Sequence, residues 1–297
     1  MSETTESLRR KISSAADLQS VVRTMKALAA SSIGQYEKSV RALADYYRTV
    51  ELGLRACVRE NRPAATGVEE PKAPAHASAI SAIVFGSDQG LVGQFNDVVA
   101  DYAINAVAAL PGQCRVWAVG QRVHTRLADA GLPLVGLFTV PNSVQAITSL
   151  VGQIQIESEA HRDKAENAPL WVFHNRPLFG ALYEPVSQRL LPLDAQWQQG
   201  LAKIHWPTVN LPEVMGDGVA TLRALVREYL FISLFRACAE SLASENASRL
   251  AAMERADKNI NDLLEQLHGT FHQLRQTGID EELFDVISGF EALGGSR

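Results

Sequence analysis

The chain has 297 residues, which leaves room for two ordinary domains. Hydrophobic residues make up 46% and charged residues 21%, a globular balance that excludes a disordered or collagen-like chain. The formal net charge of -5 gives no basic excess for nucleic acid, and three scattered cysteines (Cys57, Cys114, Cys238) are too few for a disulfide framework or a zinc ribbon.

Three idle thiols suit a reducing compartment. The most apolar run, Tyr229–Phe235, is about a third of a membrane span and lies between Glu228 and Arg236. Basic Arg9-Arg10-Lys11 is followed by Ser-Ser-Ala-Ala-Asp rather than an apolar core, so no secretory pattern is expected. The reading is a soluble or peripheral protein.

Proline divides the chain. All 12 prolines lie between Pro63 and Pro212. A proline costs a helix interior about 3 kcal/mol, so only the two ends are free to be long helices. Over residues 1–62, Leu18, Val21, Met25, Leu28, Ser32, Tyr36, Val40, Leu43, Tyr47, Val50 and Leu54 recur at steps of three and four, which predicts a long helix with a near-heptad seam. Residues 63–78 carry three prolines and read as a linker.

Residues 79–212 alternate. Strands are expected over 79–85, 115–119, 134–140 and 170–174, with an edge-like strand over 182–193. Helices are expected over 95–110, 122–130 and 144–161. That order implies a mostly parallel sheet with helices on both faces. Residues 213–297 return to the helical pattern. Leu222, Leu225, Tyr229, Ile232, Phe235, Cys238 and Leu242 begin its stripe; Asn246, Leu250, Met253, Ala256, Ile260, Leu263, Leu267, Phe271 and Leu274 continue it. Such stripes need a partner, and the arms complement each other in charge, net +4 for 1–62 and net -6 for 213–297. The fold class is mixed α/β: a long antiparallel two-helix coiled coil from both termini with an inserted Rossmann-like α/β domain.

Candidate chemistry is sparse. Gly86-Ser-Asp-Gln-Gly-Leu-Val-Gly93 lies between a strand and a helix, where a phosphate loop would sit, but its glycine spacing fits neither standard signature. The plainer reading is a tight turn, with Asp88 or Ser87 capping the helix. His268 and His272 stand at i, i+4 without a third metal ligand, and solvated or half-buried histidines are the simpler account. His174 is expected in a loop at a strand end. Asp280-Glu281-Glu282 after Gly278 reads as a solvated helix start. Arg275-Gln276, long polar side chains near the end of a thin rod, suit bonds to another molecule. No nucleophile with a neighbouring base is legible.

Leu242-Ala-Ser-Glu-Asn-Ala-Ser-Arg-Leu-Ala-Ala-Met253, Ala256-Asp-Lys-Asn259, Leu274-Arg-Gln-Thr-Gly-Ile-Asp-Glu-Glu-Leu283, Val286-Ile-Ser-Gly289 and Glu291-Ala-Leu293 resemble the C-terminal helix of F-type ATP synthase gamma subunits. Leu8-Arg-Arg-Lys-Ile12 and Arg23-Thr-Met-Lys-Ala-Leu-Ala-Ala-Ser31 resemble that family's first helix, and the Gly86–Asn96 segment its first strand and turn. The chain departs from the common pattern at uncharged Ser32–Tyr36 and at Gln89 and Val92, as a divergent branch would.

The resemblance implies a central rotor shaft with no catalytic residue, cofactor or metal of its own. The partners it implies are the alpha and beta subunits, the epsilon subunit and the membrane c-ring. It places the protein peripherally at the cytoplasmic face of a bacterial inner membrane, touching the membrane only through the c-ring. Carried over residue by residue, Met25, Lys26, Arg249, Arg275, Gln276, Asp280 and Glu282 would face beta subunits. A nucleotide-using α/β enzyme and a static coiled-coil tether are the alternatives.

Overall fold

A computed structural model describes residues 4–60, 80–161, 169–178, 181–193, 195–210 and 212–294. The expected linker over 63–78 lies outside the described residues. Contacts divide the chain into two compact units, Ala30–Arg249 and Met1–Ala29 with Leu250–Arg297. Both boundaries fall inside helices.

The first helix, α1, is Thr5–Glu60. Thr4 caps it reciprocally with Ser7: the Ser7 amide donates to Thr4 Oγ1 at 3.2 Å, and the Thr4 amide donates to Ser7 Oγ at 3.3 Å. Strand β1 (Ile80–Phe85) leads to α2 (Phe95–Ala108), β2 (Cys114–Val119), α3 (Gln121–Asp129), β3 (Leu134–Phe138), α4 (Val144–His161), β4 (Leu170–Leu178) and β5 (Ala181–Leu191). A short helix, α5 (Ala195–Lys203), was not legible as a separate element in the sequence, because a nine-residue stretch gives little periodicity. The last helix, α6, is Gly218–Gly294, and Asp217 Oδ1 accepts from the Val219 amide at its start.

In the unit Ala30–Arg249 the sheet order is β3-β2-β1-β4-β5. The first four strands are parallel, and β5 runs antiparallel at the edge, where Pro185 is tolerated. Central β1 is buried along its whole length, and Ser81 alone interrupts its apolar run. Ala82 and Val84 join a core with Val99 and Ala103 of α2 and Val123 and Leu127 of α3. Ile83 and Phe85 join the opposite core, with Ile147 and Ile154 of α4, Val50 and Leu54 of α1, and Tyr229 and Leu242 of α6. Strand β4 continues past the expected end, so His174 lies inside a strand and is buried, not in a loop. From Tyr229 to Ser248, α6 is buried on nearly all sides. The antiparallel run of α1 and α6 shows in the contact of Gly53 with Leu225 and in the bond, 2.8 Å long, from Tyr46 Oη to Glu228.

In the second unit the two helices are also antiparallel. Arg9 lies over the Phe271 ring at 5.7 Å, Gln19 bonds Asn261, Arg23 meets Asp257 at 3.2 Å and Lys26 meets Glu254 at 3.6 Å. Burial here follows Leu8, Ile12, Ala15, Gln19, Val22, Lys26 and Ala29, steps of four and three. The expected seam through Leu18, Val21 and Leu28 is corrected: these are 60%, 56% and 63% exposed. The true seam uses the small residues Ala15 and Ala29 and the buried Gln19, whose amide bonds the exposed Asn261. The bulkier apolar residues sit one position, about 100°, around the helix. No described helix is long and apolar enough to cross a membrane.

Candidate functional site

The Gly86–Gly93 turn spends its polar groups on the chain itself. The Ser87 amide donates to Asn96 Oδ1 at 2.9 Å, Asn96 Nδ2 donates to Ser87 Oγ at 2.8 Å, and Ser87 Oγ donates to the Gln89 carbonyl at 2.9 Å. Asp88 does not cap the helix that follows. Its Oδ1 accepts from the amide of Gln121, first residue of α3, at 2.9 Å, and its Oδ2 accepts from the Val140 amide at 2.8 Å. The N-terminus of α2 has no side-chain cap. Asp88 thus holds the place at a helix N-terminus where a bound anion would sit. Gly120, at φ +113, packs so close that a Cβ would lie 2.7 Å from the Ser87 backbone.

In an open α/β sheet, ligands bind beyond the strand C-termini where the strand order reverses, here between β1 and β4. That crevice is filled by α6. Ser248 Oγ donates to the Val92 carbonyl at 2.6 Å, and Ser244 Oγ donates to the Asn175 carbonyl at 3.0 Å. Asn175 Nδ2 in turn donates to the Phe95 carbonyl at 2.9 Å. One turn earlier, Glu240 Oε2 lies 2.8 Å from His174 Nε2, and its Oε1 accepts from Arg236 Nε at 2.7 Å. Burial pushes the Glu240 carboxyl up, but the His174 and Arg236 bonds outweigh it and hold the group below the usual range. Glu245 goes the other way: burial raises it, and a single bridge to Arg249 does not compensate. These polar side chains on α6 were missed from sequence. The signal was present as Glu240, Ser244 and Ser248 at four-residue spacing, directly after the apolar run Tyr229–Phe235.

A concavity of about 780 Å³ between β3 and α4 is lined by Leu137, Val140, Leu150 and Ile156, and Glu157 is its only titratable lining residue. The three cysteines are buried and in no disulfide; burial raises Cys114 to about 11 and pushes Cys238 up as well, which keeps those two protonated and inert. His268 and His272 are exposed on α6, and no metal-competent group of three ligands occurs among the described residues.

The residues expected to face a partner fall into two kinds. Met25 and Lys26 are half-buried on α1, with Lys26 paired to Glu254. The Arg249 side chain is only 14% exposed and is bonded to Glu245 and Asn246. Arg275, Gln276, Asp280 and Glu282 are exposed on α6, and among the described residues none bonds another side chain of the chain. The acidic run is not a helix start: α6 passes through Gly278 without a break, so Asp280–Glu282 sit about four turns before its end.

A family model described as ATP synthase matches residues 4–293. The ATP synthase gamma chain of Dechloromonas aromatica (strain RCB) is 25% identical over 293 residues, covering 96% of this chain and 98% of the relative. Two solved assemblies share the fold. A chain of the Euglena gracilis mitochondrial ATP synthase OSCP/F1/c-ring structure in rotational state 3 superposes with TM-score 0.64 at 16% identity, covering 99% of this chain and 96% of that one. A chain of the Tetrahymena thermophila mitochondrial central stalk/c-ring structure gives 0.54 at 19% identity, covering 80% and 99%. Matched end to end by the family model and by a gamma chain, this chain belongs to the gamma-subunit family of the F-type ATP synthases.

Proposed function

We infer that this chain is the central rotor shaft of an F-type ATP synthase, a non-catalytic subunit coupling ion flow through a membrane c-ring to ATP synthesis or hydrolysis. The observation that carries this reading is the gamma-chain relationship along the full length. The antiparallel helix pairs support it: a shaft must resist torsion, and two helices packed along a heptad seam do so.

Its partners in this reading are the alpha and beta subunits, the epsilon subunit and the c-ring. It is peripheral, at the cytoplasmic face of a bacterial inner membrane, and meets the membrane only through the c-ring. Met25, Lys26, Arg249, Arg275, Gln276, Asp280 and Glu282 face beta subunits as the shaft turns. The exposed polar side chains of Arg275, Gln276, Asp280 and Glu282 suit that task. Each charged hydrogen bond contributes about 1.5–3 kcal/mol, enough to register a position and small enough to exchange. Bonding Gln276→Cys to a cysteine placed on a beta subunit should stop ATP-driven turnover, and reduction should restore it. Turnover continuing unchanged with the bond formed overturns the reading.

A further inference from the structure

We propose that Glu240, Ser244 and Ser248 form a three-rung ladder that fixes the rotational setting of α6 against the α/β sheet, making them, with His174, positioning residues that carry torque. The proposal rests on the shaft reading above. The three lie at intervals of four residues, along one ridge of the helix. Each rung ends on a different part of the sheet's C-terminal rim: Glu240 on His174 within β4, Ser244 on the Asn175 carbonyl, Ser248 on the Val92 carbonyl in the turn after β1.

Most of the other packing on this stretch is apolar, from Tyr229 and Ile232 to Leu242 and Ala243. Apolar contact has no direction, so it opposes withdrawal of the helix far better than rotation about its own axis. Hydrogen bonds weaken steeply once bent or stretched. Turning α6 by one residue, about 100°, breaks all three rungs at once and leaves their polar atoms buried without partners. Arg236 holds the second oxygen of Glu240, and Asn175 Nδ2 ties the backbone that receives Ser244 to α2 through the Phe95 carbonyl, so the first and middle rungs are braced. A shaft is loaded in torsion. The ladder therefore resists the one motion that the apolar surround resists least.

The test uses the whole synthase in membrane vesicles carrying Glu240→Gln, Ser244→Ala and Ser248→Ala together, substitutions that add no volume. Three quantities are read: co-purification with alpha and beta subunits, ATP hydrolysis, and ions transported per ATP as the opposing gradient grows. Assembly and hydrolysis should stay within about twofold of the unaltered complex, while transport per ATP falls about threefold, with the deficit widening under load. A lowered melting temperature with an unchanged transport ratio at every load means that the rungs only satisfy buried polar groups, and overturns the proposal. If the triple variant does not assemble, Ser248→Ala alone, which deletes one hydroxyl, is read by the same criterion. Failure of the unaltered chain to co-purify with alpha and beta subunits is a separate result, and it removes the shaft reading itself.

Discussion

Two carboxylates five positions apart on α6 are both raised by burial yet end with opposite net shifts. Glu240 is pushed up by burial but held below its ordinary 4.5 by two partners, whereas Glu245 is pushed above it. A depressed carboxylate contributes stability above its unfolded value and loses it as pH falls through the folded value. A raised one is the reverse: its contribution is present in acid and is lost as pH rises from 4.5 toward the folded value. Glu240→Gln should therefore cost about 2 kcal/mol at neutral pH, with the gap to the unaltered chain closing below pH 4.5. Glu245→Gln should show a gap of the opposite sign: the variant gains on the unaltered chain as pH rises above 4.5, where the buried charge forms, and the two converge below it, where the carboxyl is protonated in both states. Thermal melting of the full chain from pH 3.5 to 7.5, followed by tryptophan fluorescence, separates the two. Parallel curves for both variants would contradict the assignment.

At the scale of the element, legibility depended on whether burial was done by large apolar side chains. Strand β1 and helices α2 and α4 were readable because Ile, Val and Phe mark their buried faces. The second half of the α1 seam, Tyr36 to Leu54, was readable for the same reason. Its first half was not, since Ala15, Gln19 and Ala29 are buried there while Leu18, Val21 and Leu28 are exposed. The inner ends of β4 and the α6 ladder were obscured likewise: His174, Asn175, Ser244 and Ser248 are buried because they are bonded, and bonding partners far apart in sequence leave no periodic trace. The corrected seam is open to measurement. Leu8→Ala should destabilise the helix pair by about 2–4 kcal/mol, whereas Leu18→Ala should fall within about 0.5 kcal/mol. Amide exchange across residues 5–29 reads both, and equal protection in the two variants would restore the seam expected from sequence.

For the whole molecule, charge divides into what holds the chain together and what it presents outward. The opposite net charges of the two arms do meet, in Arg23–Asp257 and Lys26–Glu254, but these pairs are largely exposed and contribute only tenths of a kcal/mol each. Apolar burial along the seam does most of the holding. Arg275, by contrast, bonds no side chain of its own chain among the described residues, so its loss should be invisible in isolation. Arg275→Ala should leave the melting of the free chain within about 0.5 kcal/mol of the unaltered one. In the assembled synthase the same change removes a charged contact, and ATP-driven turnover should fall about tenfold at low salt. Raising the ionic strength toward 1 M shortens the screening length to about 3 Å, so a contact made at an exposed surface should matter less there and the two turnover rates should converge. A tenfold loss that persists at high salt would mean that Arg275 is enclosed when it meets its partner. An unchanged rate at every salt would remove it from the contact surface altogether.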